Sequence, residues 1–338
     1  MSTDVVALTE NVATTATPLD VDITALTVTD SNSALKMSGL TAFGRAGTGK
    51  GKGRGGGMDA IARATMLQGV FYDLKQTPKK GSTELDCMRL GGNVPWHANP
   101  QLPNLYRLTR AVVGGFVDSG WSRVMRNGNI TYPYFQGKYF SPPIRLMNSC
   151  LYIPVMPADE APKAFRCEDE VKPSTWVAIY GGRVVAPRTG KFRFVGEGDD
   201  VLAVRFNGEL VLDYGHTIAS LRSENDDAAK RAISKHDLSG LDAERAKFFK
   251  ASDLFKEPLE IRYPEGHWMH GVCVGKTFSV EKGKVYDIDI LISEIPGGSF
   301  SAWLFMEQVA PQVEYEKDRN GCPILPLFWT TKAIPQVG

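Results

Sequence analysis

The sequence predicts a mainly β protein, and more specifically an antiparallel β-barrel or β-sandwich. Two observations support this prediction: apolar and polar residues alternate over short stretches, and glycine- and proline-containing turns separate these stretches. The 338 residues include 34 glycines and 20 prolines, a composition that favours turns over long helices. We expect one amphipathic helix and one inserted helical hairpin in addition to the strands, with an extended arm before them.

The clearest strand patterns lie in two parts of the chain. In the first, Phe192 and Phe194 fall on one face of a predicted strand, and Asn207-Gly208 joins two alternating segments. Asn-Gly is a strong hairpin signal because both residues tolerate a positive φ. In the second, apolar residues alternate with polar ones from Tyr286 to Ile292, and a similar pattern runs from Phe300 to Met306. These patterns predict adjacent strands with one buried face each.

Two segments have helical rather than strand periodicity. From Leu102 to Gly120, apolar residues recur at a spacing that places them on one side of a helix, namely Leu105, Leu108, Val112 and Phe116. Residues at about 220–255 have a helical composition that Ser239-Gly240 interrupts. We therefore predict one amphipathic helix and, further along the chain, a helical hairpin inserted into the β domain.

Residues 1–57 differ from the rest of the chain and predict an extended or disordered arm with a glycine-rich linker. All acidic residues of this segment precede all of its basic residues, and it ends in GRAGTGKGKGRGGG. Glycine loses much conformational entropy on ordering, so such a tract is expected to stay flexible. Residues 58–338 are then expected to form a single β domain.

Charge and composition exclude several classes of protein. Lys and Arg number 39 and Asp and Glu number 38, giving a net charge of +1, whereas a nucleic-acid-binding surface needs a clearly basic face. No apolar run approaches the roughly 20 residues of a membrane-spanning helix. The N-terminus shows no basic segment followed by an apolar one, so no secretory signal is visible. We expect no nucleic-acid partner and no transmembrane segment.

The five cysteines are widely spaced, and no two of them form a CxxC pair. An odd number leaves at least one thiol free and permits at most two disulfides. We expect mainly buried thiols, because free cysteine is among the most buried residue types.

The order of these motifs resembles the protective-antigen N-terminal domain family, a β-barrel module of bacterial toxins, glycosidases, cell-surface proteins and yeast flocculins. The similarity is best from Trp176 to Asp213 and from Val285 to Gln308. The matching motifs are Gly69-Val-Phe-Tyr72, Pro187 and Gly190, Phe192-Arg-Phe194, Asp199-Asp200, Asn207-Gly208 and Tyr286-Asp-Ile288-Asp-Ile290. The resemblance implies a β-barrel domain of protective-antigen type, located outside the cell or in the cell envelope.

The resemblance also implies a Ca²⁺ site at Asp199 and Asp200. In the lectin-like branch of the family, adjacent aspartates coordinate Ca²⁺, and the ion then binds sugar hydroxyls. Ca²⁺ takes six to eight oxygen ligands, so two carboxylates need further oxygens from loops, and Asn225 is a candidate. The alternative is that Asp199 and Asp200 only accept hydrogen bonds from main-chain N–H groups of their own turn.

Two tryptophans are further candidates for ligand binding. The apolar faces of Trp268 and Trp303 could stack on a sugar ring, although packing in the core is the alternative for each. The chain contains neither GxSxG nor HExxH, so we do not expect an enzyme.

The predicted function is a non-catalytic binding module, with Ca²⁺-dependent carbohydrate binding or adhesion as its activity. The alternative is a structural subunit of a homo-oligomeric or filamentous assembly. In that case the N-terminal arm would add a strand to another copy of the chain, since an extended segment can complete the edge of a sheet.

Overall fold

The structure is a computed structural model that describes most of the chain from residue 66 to residue 330. The described residues are 66–86, 102–126, 128–214, 237–240, 243, 246, 260–262, 272–295, 298–317 and 323–330. The predicted arm (1–57) lies outside them, as do Asn225, Trp268 and most of the predicted helical hairpin (220–255).

Strands dominate the described residues. In chain order they are β1 (Leu67–Asp73), β2 (Val124–Arg126), β3 (Asn129–Thr131), β4 (Leu146–Asn148), β5 (Tyr152–Pro157), β6 (Trp176–Val185), β7 (Gly190–Asp199), β8 (Val201–Phe206), β9 (Glu209–Tyr214), β10 (Glu260–Arg262), β11 (Val272–Val274), β12 (Phe278–Val280), β13 (Val285–Glu294) and β14 (Ser299–Ala310). The helices are α1 (Leu102–Ser119), α2 (Ala161–Ala164) and a 3₁₀ turn, Ala158–Glu160.

Two six-stranded antiparallel sheets form the framework. Sheet 1 has the order β4-β1-β6-β13-β8-β9. Sheet 2 has the order β10-β11-β7-β14-β5, and β12 also pairs with β7. The prediction of a mainly β, antiparallel protein is confirmed. Of the two architectures that the sequence left open, the described strands form a sandwich and not a closed barrel.

The main hydrophobic core lies between the two sheets. The alternation that the sequence predicts supplies this core, because every second residue of each long strand faces inward. The buried inward-facing residues include Trp176 and Tyr180 of β6, Phe192 and Phe194 of β7, Leu202 and Val204 of β8, Ile288, Ile290 and Ile292 of β13, and Phe300, Leu304 and Met306 of β14. The predicted hairpin at Asn207-Gly208 is also present, with φ values of 50° and 90°.

Helix α1 forms a third layer on the outer face of sheet 1. Val113, Phe116 and Val117 of the helix are buried against residues of the sheet such as Ile179 and Leu291. Because both faces of sheet 1 are covered here, the start of β6 is apolar at successive positions and does not alternate. The predicted amphipathic helix is therefore confirmed, and it covers the face of sheet 1 opposite the main core.

Three cysteines lie within the described residues, and all three are buried, as expected. They are Cys150, Cys167 and Cys273. No helix in the described part of the chain is long and apolar enough to cross a membrane.

Candidate functional site

Asp199 and Asp200 lie where the chain crosses from one sheet to the other. Asp199 is the last residue of β7 in sheet 2, and Val201 is the first residue of β8 in sheet 1. Asp200 alone connects the two strands, and the peptide bond between the aspartates is cis. The two carboxylates are therefore attached to a short connection between two long, well-packed strands.

Asp200 is held by main-chain hydrogen bonds to the end of β13. Its N–H donates to the carbonyl oxygen of Ser293 at 3.2 Å. Its Oδ2 accepts a hydrogen bond from the N–H of Ile295 at 2.8 Å. Asp200 thus caps the main-chain amide of Ile295, just after β13, and not one of its own turn, and this contact fixes the orientation of its carboxylate.

Asp199 faces away from the core, on the outer face of sheet 2. In the ladder between β7 and β14, Asp199 pairs with Ser301 and Glu197 pairs with Trp303. Phe194 and Leu304 point into the core, so residues an odd number of positions away along these strands face outward. Asp199 and Trp303, which the sequence analysis selected independently, therefore lie on the same face and two ladder positions apart.

The polar side chains of this face are buried. Glu197 is 1% exposed, Asp199 is 7% exposed and Ser301 is 0% exposed. A carboxylate held away from bulk water interacts more strongly with a cation or a hydrogen-bond donor than an exposed one does.

Trp303 is half-buried, and its role in ligand binding stays a prediction. It packs against the small outer cluster formed by Val195 and Val274, as the core alternative predicts. Its ring centroid lies 6.3 Å from that of Tyr152 on β5, and both side chains keep part of their surface exposed. The indole is therefore held in place by packing and still reaches solvent.

Sequence reasoning missed Glu197, Ser301 and Tyr152. The alternation that begins at Phe192 and Phe194 places Glu197 on the same face as Asp199, so the sequence pattern could have identified this residue. Ser301 and Tyr152 join the site only through the pairing of β14 with β7 and β5. No local pattern indicates that pairing.

The two remaining candidates, Asn225 and Trp268, lie outside the described residues. Residues 215–236, which include Asn225, follow Tyr214 of β9, and Tyr214 pairs with Leu202 next to the aspartates. Residues 263–271, which include Trp268, precede β11, whose Cys273 pairs with Gly196 of β7. The roles of Asn225 and Trp268 stay predictions.

The donor atoms near Asp199 and Asp200 are oxygens, which suit Ca²⁺ better than transition metals. Among the described residues, no group of three or more His, Cys, Asp or Glu side chains is arranged to hold a metal ion. A Ca²⁺ site here would therefore use the two aspartates together with carbonyl, amide or water oxygens, which Ca²⁺ accepts readily.

The fold and the site define an antiparallel β-sandwich protein with a polar and aromatic site on one outer face. No protein-family profile matches the chain, and no curated protein matches it.

Several solved structures are similar at low identity. They include the PA14 domain of the MpAFP antifreeze protein, which is 11% identical with a TM-score of 0.33, over 79% of this chain and 88% of that one. The PA14 sugar-binding domain of an RTX adhesin is 10% identical with a TM-score of 0.32, over 78% and 95%. The epithelial adhesin 6 A domain from Candida glabrata, in complex with Galβ1-3GlcNAc, is 12% identical with a TM-score of 0.30, over 80% and 89%.

Two anti-sigma factor domain-containing proteins, one of them from Clostridium clariflavum, also match. The chain spans less than half the length of either, covering 45% and 40% of them. TM-scores near 0.3 are too low to assign this chain to a family.

Proposed function

We propose that the protein is a non-catalytic carbohydrate-binding module that depends on Ca²⁺ and serves in adhesion. The observation that carries this proposal is the position of Asp199 and Trp303 on the same outer face of sheet 2. A carboxylate binds sugar hydroxyls directly or through a hard cation, and the face of an indole ring packs against the apolar face of a sugar. The two chemistries that recognise a sugar are thus close together on rigid strands.

Asp199 and Asp200 would hold the Ca²⁺ ion. When bound, the ion supplies a hard Lewis acid to which vicinal hydroxyls of a sugar can bind. The hydrogen bond from Ile295 to Asp200 holds that carboxylate in place before any ligand arrives, so less conformational entropy is lost on binding. We propose Asn225 as a source of a further oxygen ligand.

Location and partners follow from the same proposal. The resemblance of the motifs to the protective-antigen N-terminal domain family supports a position outside the cell or in the cell envelope, with carbohydrate as the partner. The alternative, a structural subunit that assembles through residues 1–57, depends on a segment outside the described residues and stays a prediction.

Thermal unfolding with and without millimolar CaCl₂ tests the metal site. A ligand that binds only the native state stabilises it, by about 2.7 kcal/mol at a concentration of 100 Kd. We expect CaCl₂ to raise the unfolding temperature of the natural sequence. This increase should be lost in Asp199→Asn and in Asp200→Asn. Asparagine at position 200 keeps an oxygen that can accept the Ile295 hydrogen bond, so the fold should survive.

Asp118→Asn is the matched control, because Asp118 is an exposed carboxylate on α1. This variant should show the full increase in unfolding temperature with Ca²⁺. If Ca²⁺ changes the unfolding temperature of neither the natural protein nor the control, the metal site is refuted. Binding to an array of mono- to hexasaccharides, in CaCl₂ and in EDTA, then tests the carbohydrate: binding that is lost in EDTA is expected, and no binding to any saccharide would refute the function.

A further inference from the structure

Ser301 carries a buried hydroxyl group that the packing of sheet 2 does not use. The side chain is 0% exposed, and its Oγ has no hydrogen-bond partner among the described residues. A serine hydroxyl both donates and accepts hydrogen bonds, so an unpaired one held away from water costs free energy. A group of this kind in a well-packed strand indicates that an ion, a water molecule or a ligand completes its surroundings.

Strand pairing places this hydroxyl beside Asp199. Ser301 of β14 lies directly opposite Asp199 of β7 in the antiparallel ladder. Residues directly opposite each other point to the same side of a sheet, with Cβ atoms about 4.5–5.5 Å apart. The hydroxyl and the carboxylate are therefore neighbours on the outer face, yet no hydrogen bond joins them. This arrangement is the one expected when two oxygens face a shared cation and not each other.

Charge favours a cation over a water molecule as the missing partner. Asp199 and Asp200 place two carboxylates next to the hydroxyl, and a partly buried negative charge attracts a cation strongly. Asp200 Oδ2 accepts the hydrogen bond from Ile295, but an ionised carboxylate has about four lone-pair sites and keeps capacity for an ion. Asp200 is half-buried, so the site is open to solvent on that side.

We propose that the hydroxyl oxygen of Ser301 is a ligand of the Ca²⁺ ion at Asp199 and Asp200. This inference rests on the proposed function and adds a ligand to its metal site. Ca²⁺ takes six to eight oxygens and accepts neutral ones together with carboxylates. The ladder between β7 and β14 fixes the spacing of Ser301 and Asp199 before the ion arrives, so little ordering is needed on binding.

Calcium affinity in the absence of any sugar tests this inference. The full chain is freed of metal with EDTA, dialysed and titrated with CaCl₂ in an isothermal calorimeter. We expect Ser301→Ala to weaken Ca²⁺ binding about tenfold or more, as the loss of a group beside a bound metal ion commonly does. The increase in unfolding temperature that CaCl₂ produces should become smaller in parallel.

The stability of the metal-free protein distinguishes a metal ligand from a structural hydroxyl. Ser301→Ala removes an unpaired buried hydroxyl, so the metal-free variant should unfold at the same temperature as the natural sequence or at a higher one. Ser279→Ala is the matched control. Ser279 lies on the same outer face of sheet 2 but pairs with Lys191, at the other end of β7, and its substitution should leave Ca²⁺ affinity unchanged.

A second measurement observes the natural sequence and so does not depend on how a substitution folds. Carbon NMR of protein labelled at serine Cβ follows the serine resonances during titration with CaCl₂. The Ser301 resonance should move over the same range of Ca²⁺ concentration as the calorimetric signal, whereas the Ser279 resonance should stay in place.

The outcomes separate the inference from the proposed function. Unchanged Ca²⁺ affinity in Ser301→Ala, or a Ser301 resonance that CaCl₂ does not move, overturns the inference and leaves the Ca²⁺ site at Asp199 and Asp200 in place. A metal-free Ser301→Ala protein that is clearly less stable than the natural one also overturns it, because the hydroxyl then has a structural role. Absence of Ca²⁺ binding to the natural sequence overturns both the inference and the Ca²⁺ dependence of the proposed function.

Discussion

Lys75 Nζ lies 2.6 Å from Asp73 Oδ1, and neither side chain is exposed to solvent. The lysine also donates hydrogen bonds to the carbonyl oxygens of Ser174 and Thr175, and Gln76 donates to Asp73 Oδ2 at 2.7 Å. This buried ion pair therefore joins the end of β1 to the chain just before β6.

We predict that Lys75→Met destabilises the protein by about 3–5 kcal/mol, because it leaves the buried carboxylate of Asp73 without its cation. Urea unfolding measures the change. The double variant Asp73→Asn with Lys75→Met should recover much of the loss, since it removes both charges.

The matched control is Lys163→Met. Lys163 pairs with Glu160 at 3.0 Å, but the two side chains are 56% and 49% exposed. An exposed pair contributes at most about 1 kcal/mol, so this substitution should change little. Equal effects of Lys75→Met and Lys163→Met would contradict the role given to the buried pair.

Phe116 of α1 packs among aromatic side chains of the segment that follows the helix. Its ring lies 4.7 Å from that of Trp121 and 4.9 Å from that of Phe135, centroid to centroid, and the side chain is fully buried. We predict that Phe116→Ala lowers the free energy of unfolding by about 3–5 kcal/mol, because a cavity remains in a packed layer. Val124→Ala, at a position 46% exposed, should change it by about 0.5 kcal/mol or less. A similar small effect at position 116 would mean that the helix does not pack as described.

Asp289 gives a prediction about pH. It lies on β13, where Arg123 Nη1 donates to its Oδ2 at 2.7 Å and the hydroxyl of Tyr132 donates to its Oδ1 at 2.6 Å. Burial raises the pKa of Asp289 above its ordinary value of 3.8, although the hydroxyl of Tyr132 and the guanidinium of Arg123 lower it. The ionised form is thus less favourable in the folded state than in the unfolded state.

The stability that Asp289 contributes is fully present below its ordinary pKa and is lost as pH rises through its raised folded-state pKa. We predict that Arg123→Gln raises the folded-state pKa of Asp289 further, because a favourable positive charge is removed. Carbon NMR titration of the Asp289 carboxyl measures this pKa. Asp287→Asn is the control. Asp287 contacts the same guanidinium but is 59% exposed, and this variant keeps the positive charge of Arg123 beside Asp289. A lower Asp289 pKa in Arg123→Gln would contradict the prediction.

Cysteine reactivity tests the placement of the segment after β4. Burial raises the pKa of Cys150 to about 12, so at pH 8 only about one thiol in 10⁴ is the reactive thiolate. We predict that iodoacetamide labels Cys150 at least about 100-fold more slowly in the native protein than in urea. Mass spectrometry of the labelled peptides measures the rate at each cysteine. Equal rates in both conditions would place Cys150 at the surface.

The strands and the helix were predictable because their signals are local. Alternation with a period of two identifies Phe192 and Phe194 as one buried face, and Asn207-Gly208 specifies a hairpin through its tolerance of positive φ. The spacing of Leu108, Val112 and Phe116 identifies the face of α1 that packs on the sheet. Such patterns need only the geometry of a single element.

The sequence also selected Asp199, Asp200 and Trp303, from motif order and residue type. It did not indicate that Asp199 and Trp303 share a face, or that Tyr152 lies beside Trp303. These relationships arise from the register of β14 against β7 and β5, which joins segments that are far apart in the chain.

The sequence by itself thus determined the mainly β class, the position of the long strands and of α1, and the residue types available for binding. Tertiary structure alone decided that the sheets form a sandwich, that Lys75 is buried, and that Asp199 and Trp303 lie on one outer face of sheet 2. The physical reason is that backbone preference and alternation act over a few residues, whereas pairing register and burial depend on how the whole chain packs.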